Sequence, residues 1–270
     1  MADFIRRPSG LLVPPEPRIQ RPQHCDLFGG NMMAGSGPPK PPVQPPDPYF
    51  AYVKGLLQPL ATDTTVKDYS SNGYAVGTSG TVVEDWDNDP YPSPFHDLGY
   101  STLKLTSFSN FPGVAFPAGS FTLPGGAQFV IEALWHPGGF GSGVFLDMRQ
   151  VNGNFVTYAK AVDASNGGLG WYDGTNREGS ATYPLNAYTY SVYSYTGGDL
   201  RMYVNGTLST YITGVSIANG SSSQPYLFSS IGGASDYMRG RVAAWRFTLG
   251  TNRGFTGPTI PMMTAPFPIS

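Results

Sequence analysis

Glutamate is almost missing from this chain. Its 270 residues contain four, at Glu16, Glu84, Glu132 and Glu178. Charged residues of all kinds make up 13%, about half the usual share. With few Glu and Lys the chain is short of strong helix formers, which argues against a helical fold. The single cysteine, Cys25, excludes an internal disulfide framework. No apolar run approaches the roughly 20 residues of a membrane-spanning helix. The opening MADFIRRPSGLLVPPEP has two arginines but lacks the apolar stretch of a signal peptide. A net charge of −2 and a pI near 5.9 lack the basic surplus that nucleic acid or an anionic membrane attracts. Neither is expected as a partner.

Aromatics, by contrast, reach 14%, and there are 35 Gly and 26 Pro. Tyr, Thr, Val, Ser and Gly together make strands and turns. The prolines are unevenly spread, with twelve of the 26 in the first 50 residues. GPPKPPVQPPDPYF, Gly37 to Phe50, lacks the N–H donors for helix or central strand and reads as a stiff, extended arm. Residues 1–60 are expected to form this arm and a hinge, 61–250 an all-β domain, and 251–270 an irregular tail. Leu27, Phe28, Met32 and Met33 interrupt the prolines, and Tyr49 and Phe50 close them. All six are apolar or aromatic side chains that need a surface to bury against, so they are expected to anchor the arm to a partner.

Short alternating segments separated by turns follow from Thr64 onward, as in a sandwich or barrel. AQFVIEALW places Phe129, Ile131, Ala133 and Trp135 on one face and Val130, Glu132 and Leu134 on the other. GVFLDMRQ and FVTYAKAVD flank the VNGN turn as a hairpin. YTYSVYSYTGGDLRMYVNGTLSTYI contains three strands joined by TGGD and NG turns. RVAAWRFTLG is a late strand, read as strict alternation with Val242 and Ala244 opposing Ala243, Trp245 and Phe247. The sequons at Asn205 and Asn219 read as turns.

Four segments in this order resemble the laminin G-like, concanavalin A-like jelly-roll domains. DYSSNGYAV (Asp68–Val76) is similar to the family's opening Asp-x-Ser-x-Asn-Gly strand, and FVIEALWHP (Phe129–Pro137) to an early core strand. DLRMYVNGTL (Asp199–Leu208) resembles a late hairpin, and LFSSIGG with MRGRVAAWRF (Leu227–Phe247) the closing pattern. The resemblance covers about residues 64–250 and implies two antiparallel sheets packed face to face, a jelly-roll sandwich with binding loops at one rim. The closing pattern carries Ala243 and Ala244 where an acidic residue is usual, so no ligand site is taken over with the fold.

Enzymatic signatures are absent from the sequence. A retaining glycosidase needs two carboxylates about 5–5.5 Å apart, and no two glutamates lie near each other on one strand. Glu132 is instead expected to be structural. His24, His96 and His136 and many serines exist, but no Gly-x-Ser-x-Gly elbow does. His136, next to Pro137 at a strand end, reads as a rim residue. GGFGSG (Gly138–Gly143) lacks the strand-to-helix setting of a phosphate loop. The chain is therefore expected not to be an enzyme.

EDWDNDP puts Asp85, Asp87 and Asp89 at alternate positions, as in the first half of a calcium loop. Pro90 stands where that loop needs glycine, so a solvated acidic turn is favoured and calcium is the lesser alternative. Trp171 and Tyr172, beside the DGTN turn, and Trp86 are the aromatics expected to stack on a glycan. Three function classes remain. The first is a non-enzymatic structural component of a virus particle, resembling bacteriophage head-decoration, tail or fibre-accessory proteins with laminin G-like domains. Its arm would bind other virion proteins in symmetric multiple copies. The second is a lectin-like adhesin for host glycans, and the third, disfavoured, a glycoside hydrolase.

Overall fold

The structure, a computed structural model, describes residues 5–6, 12–13, 40, 45–84, 89–105, 113–138, 143–149, 155–217, 224–229 and 238–269. The chain divides into two units, Met1–Gly37 and Pro38–Ser270. In the first, β1 (Ile5–Arg6) and β2 (Leu12–Val13) pair antiparallel.

The second unit begins with β3 (Val53–Leu57), β4 (Gly77–Ser79), β5 (Thr81–Val83), β6 (Leu103–Leu105) and β7 (Gly113–Ala115). Then come β8 (Gln128–His136), β9 (Gly143–Asp147), β10 (Val156–Ala161), β11 (Asn166–Tyr172) and β12 (Asn176–Pro184). The last five are β13 (Thr189–Thr196), β14 (Asp199–Val204), β15 (Thr207–Ile212), β16 (Tyr226–Leu227) and β17 (Gly240–Leu249). They form two antiparallel sheets. One runs β12-β11-β10-β9-β16-β7-β4; the other runs β15-β14-β13-β8-β17-β6-β5, with β3 also paired to β17. This is the sandwich expected from the sequence.

The period of two in β8 sets which residues meet. Phe129, Ile131, Ala133 and Trp135 enter the core between the sheets, where they join Phe145, Leu169 and Trp171 of the facing sheet. Val130 and Leu134 lie on the opposite face and belong to a second apolar cluster. β17 departs from the alternation expected of it. A bulge between Val242 and Ala244 shifts the register against β8, so Ala243 and Ala244 both join the outer cluster while Val242, Trp245 and Phe247 stay in the core. The extra residue of a bulge is what lets consecutive side chains share a face.

That second cluster explains the chain's ends. Phe50, Val53, Leu56, Ile260 and Phe267 cover the outer face of the larger sheet. Gln58 is fully buried and grips the tail twice: its Nε2 donates to the Phe267 carbonyl (3.0 Å) and its Oε1 accepts the Phe267 N–H (2.7 Å). The stretch that leads into the domain carries regular structure of its own. Phe50–Tyr52 form a 3-10 turn and Val53–Leu57 a sheet strand, because their apolar side chains have a sheet face to cover. The stretch 251–269 is irregular but docked, with Ile260 and Phe267 buried.

Two local devices hold this arrangement. The DYSSNG motif is a staple: Asp68 Oδ1 accepts the Leu56 and Ser70 N–H groups, and Oδ2 accepts the Tyr74 N–H and the Ser70 hydroxyl. Asn205 (φ 49°) and Gly206 (φ 78°) are both left-handed, as the two-residue turn joining β14 to β15 requires.

Candidate functional site

At one rim of the sandwich, β8 ends at His136, the β10–β11 turn presents Ala164 and Ser165, and the β12–β13 turn presents Leu185 and Asn186. With Tyr91 and Gly138 they enclose a cleft of about 300 Å³. Tyr91, 46% exposed, lies between Pro90 and Pro92, and its ring stacks on the His136 imidazole with centroids 4.4 Å apart. Tyr188 meets the same imidazole edge-on at 5.4 Å, and its hydroxyl donates to the Tyr91 carbonyl (2.8 Å).

His136 is buried. Nδ1 accepts the Gly138 N–H (3.1 Å), so the proton of the neutral ring sits on Nε2. Burial, together with the Arg241 cation, holds its pKa below the ordinary 6.5. The cleft therefore has a neutral, fixed aromatic floor at pH 7.

Ion pairs adjoin this floor. The Arg241 guanidinium lies over the Tyr91 ring, 5.1 Å from its centroid. Its Nε is 2.6 Å from Asp89 Oδ1, an ion pair lying off the N–H axis, and its Nη2 donates to Glu84 Oε2 (3.3 Å). Lys104 Nζ pairs with the same Glu84 oxygen at 2.9 Å. Asp89 also accepts the Thr102 hydroxyl (2.6 Å) and the Tyr91 N–H (2.9 Å). Asp89, one of the three aspartates at alternate positions, thus braces Tyr91, with a contact on each oxygen. Asp85 and Asp87 lie outside the described residues, and among the described residues no cluster of His, Cys, Asp and Glu could hold a metal.

Trp171 is not a sugar platform. It is fully buried and stacked on Phe155 (4.4 Å) in a layer with Phe129 and Tyr195. The alternation of β11 turns its large ring inward. Tyr172, next to it, is half-buried and does not line the cleft; Trp86 lies outside the described residues. Leu27, Phe28, Met32 and Met33 also lie outside them. Tyr49 and Phe50, expected to hold a partner, are half-buried against their own sheet, Tyr49 under Arg253 at 4.8 Å and Phe50 in the outer cluster.

Glu132 belongs to a second, buried polar group on that outer face. Arg246 donates from Nε and Nη2 to Glu132 (2.7 and 2.8 Å) and from Nη1 to Asp47 (2.8 Å). The Tyr190 hydroxyl donates to Glu132 at 2.6 Å, and Arg253 Nη2 to Asp47 at 3.1 Å. Two carboxylates face two guanidiniums under a proline- and methionine-lined hollow of about 430 Å³. Because Glu132 is buried with both oxygens taken, it is a structural anchor, as the sequence suggested.

Sequence reasoning missed Tyr91, Ser165, Asn186 and Tyr188. For Tyr91 there was a signal: an aromatic between two prolines has no place in a strand and must stand on a loop. The other three are ordinary turn residues, brought together only by the fold.

No protein-family model and no curated protein matches the chain. Solved structures do. Domain 4 of AbnA, a GH43 extracellular arabinanase from Geobacillus stearothermophilus, in complex with arabinotriose, aligns over 73% of this chain and 91% of its own at 15% identity, with a TM-score of 0.52. The SAP-like pentraxin of Limulus polyphemus aligns over 51% and 69% at 18% identity (TM-score 0.41). A structure of botulinum neurotoxin type C, reported for cell entry through two ganglioside molecules, aligns over 74% and 48% at 12% (TM-score 0.48). At these identities the likeness is one of fold alone, an antiparallel two-sheet jelly-roll sandwich.

Proposed function

We propose that the chain is a carbohydrate-binding module that works without catalysis and holds its ligand in the rim cleft. The observation that carries this reading is Tyr91, a half-exposed residue whose ring stacks on a neutral imidazole, with Ser165 and Asn186 beside it. A flat aromatic face takes the C–H side of a sugar ring while hydroxyl and amide groups meet its edge. The arabinanase domain, similar in fold, is in complex with arabinotriose, which supports a sandwich of this shape as a sugar holder.

The test is a glycan array probed with the intact protein and with Tyr91→Ala. Tyr91 is exposed, so the variant is expected to stay folded while losing about tenfold or more in affinity for any sugar bound. An array on which the intact protein binds nothing would sink the reading.

A second reading concerns where the module sits. The Pro45–Tyr49 segment is clamped to the sheet through Asp47, which receives Arg246 and Arg253. That favours a module tethered by its proline-rich arm to a larger assembly, such as a virus particle, in several copies. Pull-down from the native source with the full chain and with a chain beginning at Pro45 tests it. Capsid or tail proteins recovered by the full chain alone support a tether, and equal recovery by both removes it.

A further inference from the structure

We propose that the rim cleft selects uncharged sugars and rejects those bearing carboxylate or sulfate groups. The inference rests on the reading of the cleft as a glycan site and goes on to its ligand class. It follows from the ion pairs and hydrogen bonds of the charged groups Arg241, Lys104, Glu84, Asp89 and Asp163 and of His136.

Recognition of an acidic sugar needs a cation or a cluster of N–H donors with no carboxylate already in place. Two cations next to the floor are both ion-paired. Arg241 contacts Asp89 and Glu84, and Lys104 contacts Glu84. These four groups cancel in charge. His136 adds no cation at neutral pH, being buried with its Nδ1 accepting the Gly138 N–H.

What remains is negative. Asp163 begins the turn that carries Ser165 into the cleft wall, and its Oδ1 accepts the Ser165 and Asn166 N–H groups (2.7 and 2.9 Å). Those bonds hold its carboxyl below the usual range, so it stays ionised through the neutral range. An acidic sugar laid on Tyr91 thus meets like charge and gains no salt bridge. A neutral sugar needs only the ring face and the hydroxyl and amide donors and acceptors of Ser165 and Asn186.

Matched pairs test this: lactose against sialyllactose, galactotriose against trigalacturonate, and N-acetyllactosamine against its 6-sulfate, titrated by calorimetry at low salt. The neutral member of a pair is expected to bind about tenfold or more tighter, with an affinity that salt does not change, and to lose it in Tyr91→Ala. Asp163→Asn keeps the turn's acceptor oxygen and is expected to raise binding of the acidic member several-fold without altering the neutral one. Acidic members that bind as well or better, through Tyr91, overturn the selectivity while leaving the glycan site standing. Binding indifferent to Tyr91→Ala, or no binding by either member of any pair, overturns the site and the selectivity together.

Discussion

Replacing Glu132 with alanine asks whether the outer face of the large sheet is held by its buried charges. Glu132 is 1% exposed and accepts three short hydrogen bonds, from Arg246 Nε and Nη2 and from the Tyr190 hydroxyl. Removing it leaves Arg246 with Asp47 as its remaining carboxylate and orphans a buried phenol. Breaking a buried pair in this way costs about 3–5 kcal/mol, which for a domain of this size lowers the melting temperature by roughly 6–20 °C. Urea unfolding of Glu132→Ala is expected to show a reduced midpoint with an unchanged slope. The double variant Glu132→Leu with Arg246→Leu leaves the Asp47–Arg253 pair in place. It is expected to regain most of the loss, because apolar packing often substitutes for a buried ion pair at little cost. A loss below about 1 kcal/mol for Glu132→Ala, or a double variant no better than the single one, would refute the reasoning.

The remaining predictions concern the core, the staple and the floor. Trp171→Ala is expected to cost about 3–5 kcal/mol by opening the stacked layer, yet to leave sugar affinity unchanged at temperatures where it is folded; chemical denaturation and a binding titration check both. Asp68→Ala strips the acceptor from the buried Leu56 and Ser70 N–H groups and is expected to cost at least about 2 kcal/mol, read from its urea midpoint. The depressed pKa of His136 means the unfolded chain takes up its proton first. Its contribution to stability is therefore intact above about pH 6.5 and declines as pH falls below that value. Thermal melts between pH 7.5 and 4.5 should show this slope in the intact protein and a shallower one in His136→Gln.

The strands were legible because their period survives folding. β8 and the three strands β13 to β15 follow their alternation and their NG turn, and Trp135 and Trp245 are buried as their strands implied. β17 was only partly legible, since a bulge is set by the partner strand and not by the pattern of the strand that carries it. Trp171 misled for a related reason: beside a polar turn it read as rim, whereas its place on β11 turns it inward. The cleft was hardest to see. Tyr91, His136, Ser165 and Asn186 are separated by up to 95 positions in sequence (186 − 91), and of the four only His136, read as a rim residue, falls in a family-like segment. The docked ends were hidden as well, because a proline-rich stretch shows no sign of the sheet face it will cover.

The central claim is a place, Tyr91 on His136, and a crystal structure with a bound neutral oligosaccharide tests it most directly. The account predicts a sugar ring against the exposed face of Tyr91, with its hydroxyls at Ser165 and Asn186 and the imidazole unmoved. A sugar held instead on the outer face of the seven-stranded sheet, with the cleft vacant, would contradict it.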